Sequence, residues 1–184
     1  MEEKIVYFEK PGKGNTTEVI RLVKERAEAR EIDRFVVAST RGATARDFLE
    51  ALAGTDRRLV VVPWQFGFKG EDQPFPRELA DELRAKNHQV HFGTMLFHTT
   101  DFYGTNAPQA MANILRTFGQ GIKVCLEILL MACDGGCVGI GEKVIVVAGT
   151  GAGADTAVVA TAAPTTKLGS LRVHEIICKP LMGG

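Results

Sequence analysis

The chain has 184 residues, 22 Lys+Arg against 22 Asp+Glu, 45% hydrophobic and 24% charged residues, and four cysteines. That length suits one domain, expected over 1–184, able to bury enough surface to fold without staples. The missing basic excess argues against a nucleic-acid partner, the composition excludes disorder and collagen, and four thiols are too sparse for a disulfide scaffold.

The start, Met1-Glu2-Glu3-Lys4, is charged and is not expected to be a signal peptide. The longest apolar run, Val124 to Cys133, is interrupted by Glu127 and falls short of a membrane span. The expectation is a soluble, cytoplasmic protein with no membrane partner.

Strand-like and helix-like segments alternate along the chain. Ile5-Val6-Tyr7-Phe8 reads as a short buried strand ended by Lys10-Pro11-Gly12. Asn15 followed by Glu18 predicts a capping box, and Val19, Ile20, Val23 and Ala27 continue at helical spacing. Phe35 to Ala38 is a second strand and Thr44 to Leu52 a second helix. Leu59 to Val62 is a third strand, closed by Pro63. Pro76 suits a first helical position before Leu79 and Leu83. Gln89 to Phe92 is a fourth strand, and Asn106 to Phe118 a helix stopped by Gly119. Ile122 to Cys133 is apolar nearly all round, which predicts a deeply buried helix. Val144 to Val147, Thr156 to Thr161 and Arg172 to Cys178 complete the strands.

Apolar strands separated by helices imply a three-layer α/β/α sandwich with a mostly parallel sheet. In such sheets ligands bind beyond the carboxyl ends of the strands, so the loops there are the candidate sites. Lys10 to Thr17 is glycine-rich but not a phosphate-binding Walker loop, because Gly14 follows Gly12-Lys13. Asn15 or Thr16 could bond a ligand there, plain helix capping being the alternative. Ser39-Thr40-Arg41-Gly42-Ala43-Thr44 combines hydroxyls, a glycine and a helix start, a suitable phosphate cradle with Arg41 as a charged clamp. The alternative is a turn with Thr44 as N-cap.

Gly149-Thr150-Gly151-Ala152-Gly153-Ala154-Asp155-Thr156 satisfies G-x-G-x-x-A, but a strand follows where a dinucleotide fingerprint needs a helix. Close backbone approach to a ligand remains open beside a plain connection. The aromatics of Pro63 to Phe68 could stack on a planar ring or pack in the core. His98 is a loop histidine that could contact a ligand or simply be solvated. Cys133 and Cys137 stand as C-x3-C, not a strong zinc spacing, so buried thiols and no metal are expected. Lys123 and Glu127 lie one helical turn apart and can pair.

Val36-Val37-Ala38-Ser39-Thr40-Arg41-Gly42-Ala43-Thr44-Ala45 and Gly141-Glu142-Lys143-Val144-Ile145-Val146-Val147-Ala148-Gly149 resemble the C-terminal α/β domain of pyruvate kinase. Tyr7 to Gly12, Phe118 to Cys125 and Gly153 to Val159 look closer still to stand-alone proteins built on that domain. The resemblance implies a pyruvate kinase C-terminal domain-like fold. It implies no pyruvate kinase activity, since no catalytic barrel accompanies these segments. It implies bound flavin mononucleotide (FMN), with the phosphate on Ser39 to Thr44 and the ring near Asn15, Phe66, His98 and Gly149. Thr16, Thr150, Gly151, Asp155 and Thr156 complete the expected site. Flavin-dependent redox chemistry is one use of such a site. The alternative is a non-catalytic sensor of phosphorylated metabolites. Homo-oligomer assembly through the His174 to Pro180 strand is a further expectation.

Overall fold

The computed structural model describes residues 2–181. A seven-stranded sheet organises them, in the order β1-β7-β6-β5-β2-β3-β4. The strands are β1 (Val6–Phe8), β2 (Arg34–Ala38), β3 (Arg58–Val62), β4 (Gln89–Val90), β5 (Lys143–Ala148), β6 (Thr156–Thr161) and β7 (Arg172–Pro180). The helices are α1 (Thr16–Arg30), α2 (Ala43–Ala51), α3 (Arg77–Ala85), α4 (Thr100–Tyr103), α5 (Ala107–Arg116) and α6 (Gln120–Asp134).

Alternation along the strands sorts their side chains into two cores. Phe35 and Val37, Leu59 and Val61, and Ile145 and Val147 point to the face covered by α1, α2 and α3. Val36, Val60, Val62, Val144 and Val146 point to the opposite face, where α6 lies. Each such buried side chain contributes about 1.5–3 kcal/mol. The sheet is therefore covered on both faces, which is why its strands read as unbroken apolar runs rather than alternating ones.

The sheet is mostly parallel, with one departure. β6 runs antiparallel to both β5 and β7. Only residues 149–155 join β5 to β6, and a parallel crossover needs a dozen residues or more. β7 does not form an edge as expected from the sequence. It pairs with β6 on one side and, in parallel, with β1 on the other. β1 takes the edge instead. Ion pairs from α1 pin β7 from above, Arg30 Nε lying 2.7 Å from Glu175 Oε1.

Local departures from the sequence expectations are small. Asn15 makes no capping box; its Nδ2 donates to Lys10 O at 2.8 Å and Gly12 O at 3.2 Å, holding the loop before α1. Thr44 is not an N-cap. Gly42 holds that position with φ 88°, and the Ala45 N–H donates to Ser39 Oγ at 3.2 Å. A side chain at Gly42 would also meet Leu79 Cδ2 at 2.7 Å. Pro76 precedes α3 rather than opening it, and the fourth strand is cut to two residues.

At the start of α6, Gly121 lets the helix press onto β6. A Cβ there would lie 2.0 Å from Thr156 Oγ1. Gly121→Ala is expected to destabilise the fold by about 1–3 kcal/mol, the cost of overpacking, despite alanine's better helix propensity. A urea midpoint equal to or above that of the parent would contradict this contact.

Candidate functional site

A crevice of about 450 Å³ opens at the carboxyl ends of β2, β3 and β5. From β2 the chain crosses to β3 on one side, and it returns through α6 to β5 on the other. Strand order reverses there, which leaves a gap between the diverging connections. The floor is the amino-terminal half of α6, and the walls are the loops after β2, β3 and β5.

One wall carries Ser39, Thr40, Arg41, Ala43 and Thr44. The first N–H groups of any helix lack intrahelical partners. Ser39 satisfies Ala45, while Ala43 and Thr44 border the crevice. Partial positive charge at the start of α2 therefore adds to the Arg41 guanidinium. Lys69, Arg116 and Lys123 also line the space. Arg116 is held by α5 and α6 together, its Nε donating to Gln120 Oε1 and its guanidinium to Asn113 Oδ1, both at 2.8 Å.

The opposite wall is aromatic. The ring centroids of Trp64 and Phe68 lie 5.2 Å apart, and those of Phe68 and His98 4.8 Å apart, both edge-on. Gln73 Nε2 donates to Trp64 O at 2.8 Å and fixes this loop. Lys69 Nζ stands 5.0 Å above the Trp64 ring.

Lys123 and Glu127 form the floor as a buried ion pair, Nζ to Oε2 at 2.6 Å, each side chain 2% exposed. Glu127 Oε1 also accepts the Phe97 N–H at 2.9 Å. Lys123 Nζ reaches His98 Nε2 at 3.1 Å. Burial lowers the Lys123 pKa below the ordinary lysine value, and Glu127 opposes that shift. His98 as a residue is exposed, but its Nε2 faces inward. Desolvation lowers its pKa, with Lys123, Arg116 and Lys69 acting in the same direction and Glu127 against.

The glycine-rich loop after β5 is held by Asp155, which is fully buried. Its Oδ2 accepts the Gly12 N–H at 2.8 Å and the Thr150 N–H at 3.0 Å, and its Oδ1 accepts Thr156 Oγ1 at 2.7 Å. Thr16 Oγ1 accepts the Ala154 N–H at 3.0 Å and donates to Lys13 O at 3.0 Å. Gly153, at φ 73°, passes so close to Lys13 that a Cβ would sit 2.4 Å from its Cα.

Of the residues singled out in the sequence, the crevice gathers Ser39, Thr40, Arg41, Thr44, His98, Gly149 and Gly151. Asn15, Thr16, Thr150, Asp155 and Thr156 stand behind it, spending their polar atoms on the loops that shape it. Gly42 turns the chain into α2. Phe66 faces away, its ring tilted against that of Phe92 at 5.1 Å beside a separate cavity. Trp64 and Phe68 of the same loop line the crevice instead. Lys69, Arg116, Gln120 and Lys123 were not singled out as site residues. Lys123 and Glu127 carried a signal, since two charges one turn apart on an otherwise apolar helix must both be buried or face a cavity. Arg116 and Lys69 carried none.

All four cysteines are buried and unbridged. Burial raises the Cys125, Cys133 and Cys137 thiols, and pushes Cys178 up to about 12, so they stay protonated. Among the described residues no group of His, Cys, Asp and Glu is arranged to hold a metal ion. No helix among them is long and apolar enough to cross a membrane. No protein-family model matches the chain.

Proposed function

We propose that the crevice binds a phosphate-bearing ligand with a planar ring, and that this ligand is FMN. The observation that carries the reading is the division of the crevice into a cationic, hydroxyl-rich wall and an aromatic one. A cavity of about 450 Å³ lies within the size range of small-molecule and cofactor sites. The donor set fits the group. Ser39, Thr40, Arg41 and the start of α2 would hold the phosphate. Trp64, Phe68 and His98 would flank the ring, with Gly149 and Gly151 letting backbone approach it. The resemblance of residues 36–45 and 141–149 to the C-terminal domain of pyruvate kinase, and of other segments to its stand-alone relatives, points the same way. When bound, a flavin supplies hydride and single-electron transfer. This chain's own residues orient it, surround it with positive charge and exclude water from one face.

The test is an absorption spectrum of the purified protein, repeated on the supernatant after denaturation and after incubation with FMN. Oxidised-flavin bands, with FMN released on denaturation, are the expected result. Arg41→Ala is expected to weaken FMN binding by about tenfold to a hundredfold, the worth of a charge-assisted hydrogen bond. Protein that is colourless and binds no added FMN would overturn the flavin assignment. The cationic wall then favours the second reading, a sensor of phosphorylated metabolites. That reading expects stabilisation of about 2.7 kcal/mol by a sugar phosphate at a hundredfold excess over Kd.

A further inference from the structure

We propose that His98 couples ligand binding to proton uptake: a dianionic group enters the crevice together with one proton, taken from solvent onto the His98 imidazole. This rests on the reading of the crevice as a phosphate-ligand site and assigns its charge selectivity to one residue.

The geometry of the floor leads to it. Lys123 Nζ and His98 Nε2 lie 3.1 Å apart. Two nitrogens at that distance share a single hydrogen, so one donates and the other accepts. The Glu127 carboxylate, 2.6 Å from Nζ inside a buried pair, keeps the proton on Lys123. Lys123 therefore donates, His98 Nε2 accepts, and the imidazole is neutral with its hydrogen on Nδ1.

The charges around His98 hold it in that state. Lys123 of α6, Arg116 of α5, Lys69 of the loop after β3 and Arg41 of the loop after β2 all line the crevice. Among the described residues lining it, Glu127 is the one carboxylate. Of these, Lys123, Arg116 and Lys69 oppose a further positive charge on His98, against Glu127 alone. A dianion reverses the balance. The incoming proton must land on Nε2, the atom that accepts from Lys123. Protonation thus breaks the Lys123–His98 hydrogen bond and adds a positive charge across the crevice from the wall that holds the anion. No covalent bond other than the new N–H is formed. A neutral or singly charged ligand supplies less compensating charge and binds without the proton.

The experiment is calorimetric titration of the full chain with FMN and, separately, with inorganic sulfate, in buffers of different ionisation heat. It is run on the parent and on His98→Gln, which retains polar atoms but does not titrate. Sulfate has no titrating proton in this range. The phosphate of FMN has one, with a pKa of about 6, but contributes equally to both proteins. The parent is expected to take up close to one proton more than His98→Gln. Its affinity should tighten by up to about tenfold per pH unit on acidification, while the variant stays flat with sulfate. Nuclear magnetic resonance of the parent should show the His98 imidazole pKa rising when either anion binds. Equal proton uptake and equal pH slopes in the two proteins, with binding retained, would overturn the coupling and leave the phosphate-site reading standing. No binding of FMN or sulfate at any pH would overturn both.

Discussion

Lys123→Met is expected to lower the unfolding free energy by about 3–5 kcal/mol, because it leaves an uncompensated charge in the interior. The Glu127 carboxylate would keep the Phe97 N–H as its partner and lose the ammonium 2.6 Å away. With 2% of its side chain exposed, water cannot replace that partner. The double variant Lys123→Met/Glu127→Gln should recover much of the loss. Glutamine presents an oxygen to the Phe97 N–H, carries no charge, and fills nearly the same volume. Urea denaturation of the three proteins measures this. A single variant within about 1 kcal/mol of the parent would mean that the pair is hydrated, contrary to its burial. The same substitution removes a cation from the crevice, so anion affinity should fall even where the fold is retained.

Asp155→Ala is expected to cost about 3 kcal/mol or more, since it orphans the Gly12 and Thr150 N–H groups and the Thr156 hydroxyl at once. Asp155→Asn should cost about 1 kcal/mol, because the amide oxygen can still accept from both N–H groups and the Thr156 hydroxyl can rotate to accept. Amide hydrogen exchange at Gly12 and Thr150, followed beside denaturant midpoints, separates the two variants. Fast exchange confined to these loops is the expected signature of the alanine variant. If alanine and asparagine behave alike, the carboxylate is not what joins the two glycine loops. Because Gly149, Gly151 and Gly153 line the crevice, loosening them should also weaken ligand binding.

The elements of the fold were legible because they rest on local periodicity. Val36-Val37, Val60-Val61 and Val146-Val147 declared strands covered on both faces, and residues 122–133 declared a buried helix. The crevice wall after β2 was legible for a similar reason: its hydroxyls, arginine and helix start are contiguous in sequence. The C-x3-C pair also read correctly as buried thiols, since its spacing matches no common zinc site.

What residues 149–156 do was only half legible. Their glycines announced a tight connection, and the short distance to the next strand could have announced the antiparallel β6. The resemblance implied Asp155 as part of the site; its partners, 143 residues away at Gly12 and nearby at Thr150, are set by how β1 and α1 meet the end of β5. Phe66 and Phe68 differ by two positions in one irregular loop, where no strand or helix period assigns a face. Hydrogen bonds from Gln73 to Trp64 O and from the Met95 N–H to Gln65 Oε1 decide which ring turns inward.

The α/β class, most strand and helix positions, and one wall of the crevice follow from residue order alone, because each depends on neighbours within about one or two helical turns. The strand order, the internal place of β7, and the second cationic cluster of Lys69, Arg116 and Lys123 beside His98 depend on how distant segments pack. Those side chains come from the loop after β3 and from α5 and α6, and only packing α6 across β2 and β5 brings them to one crevice.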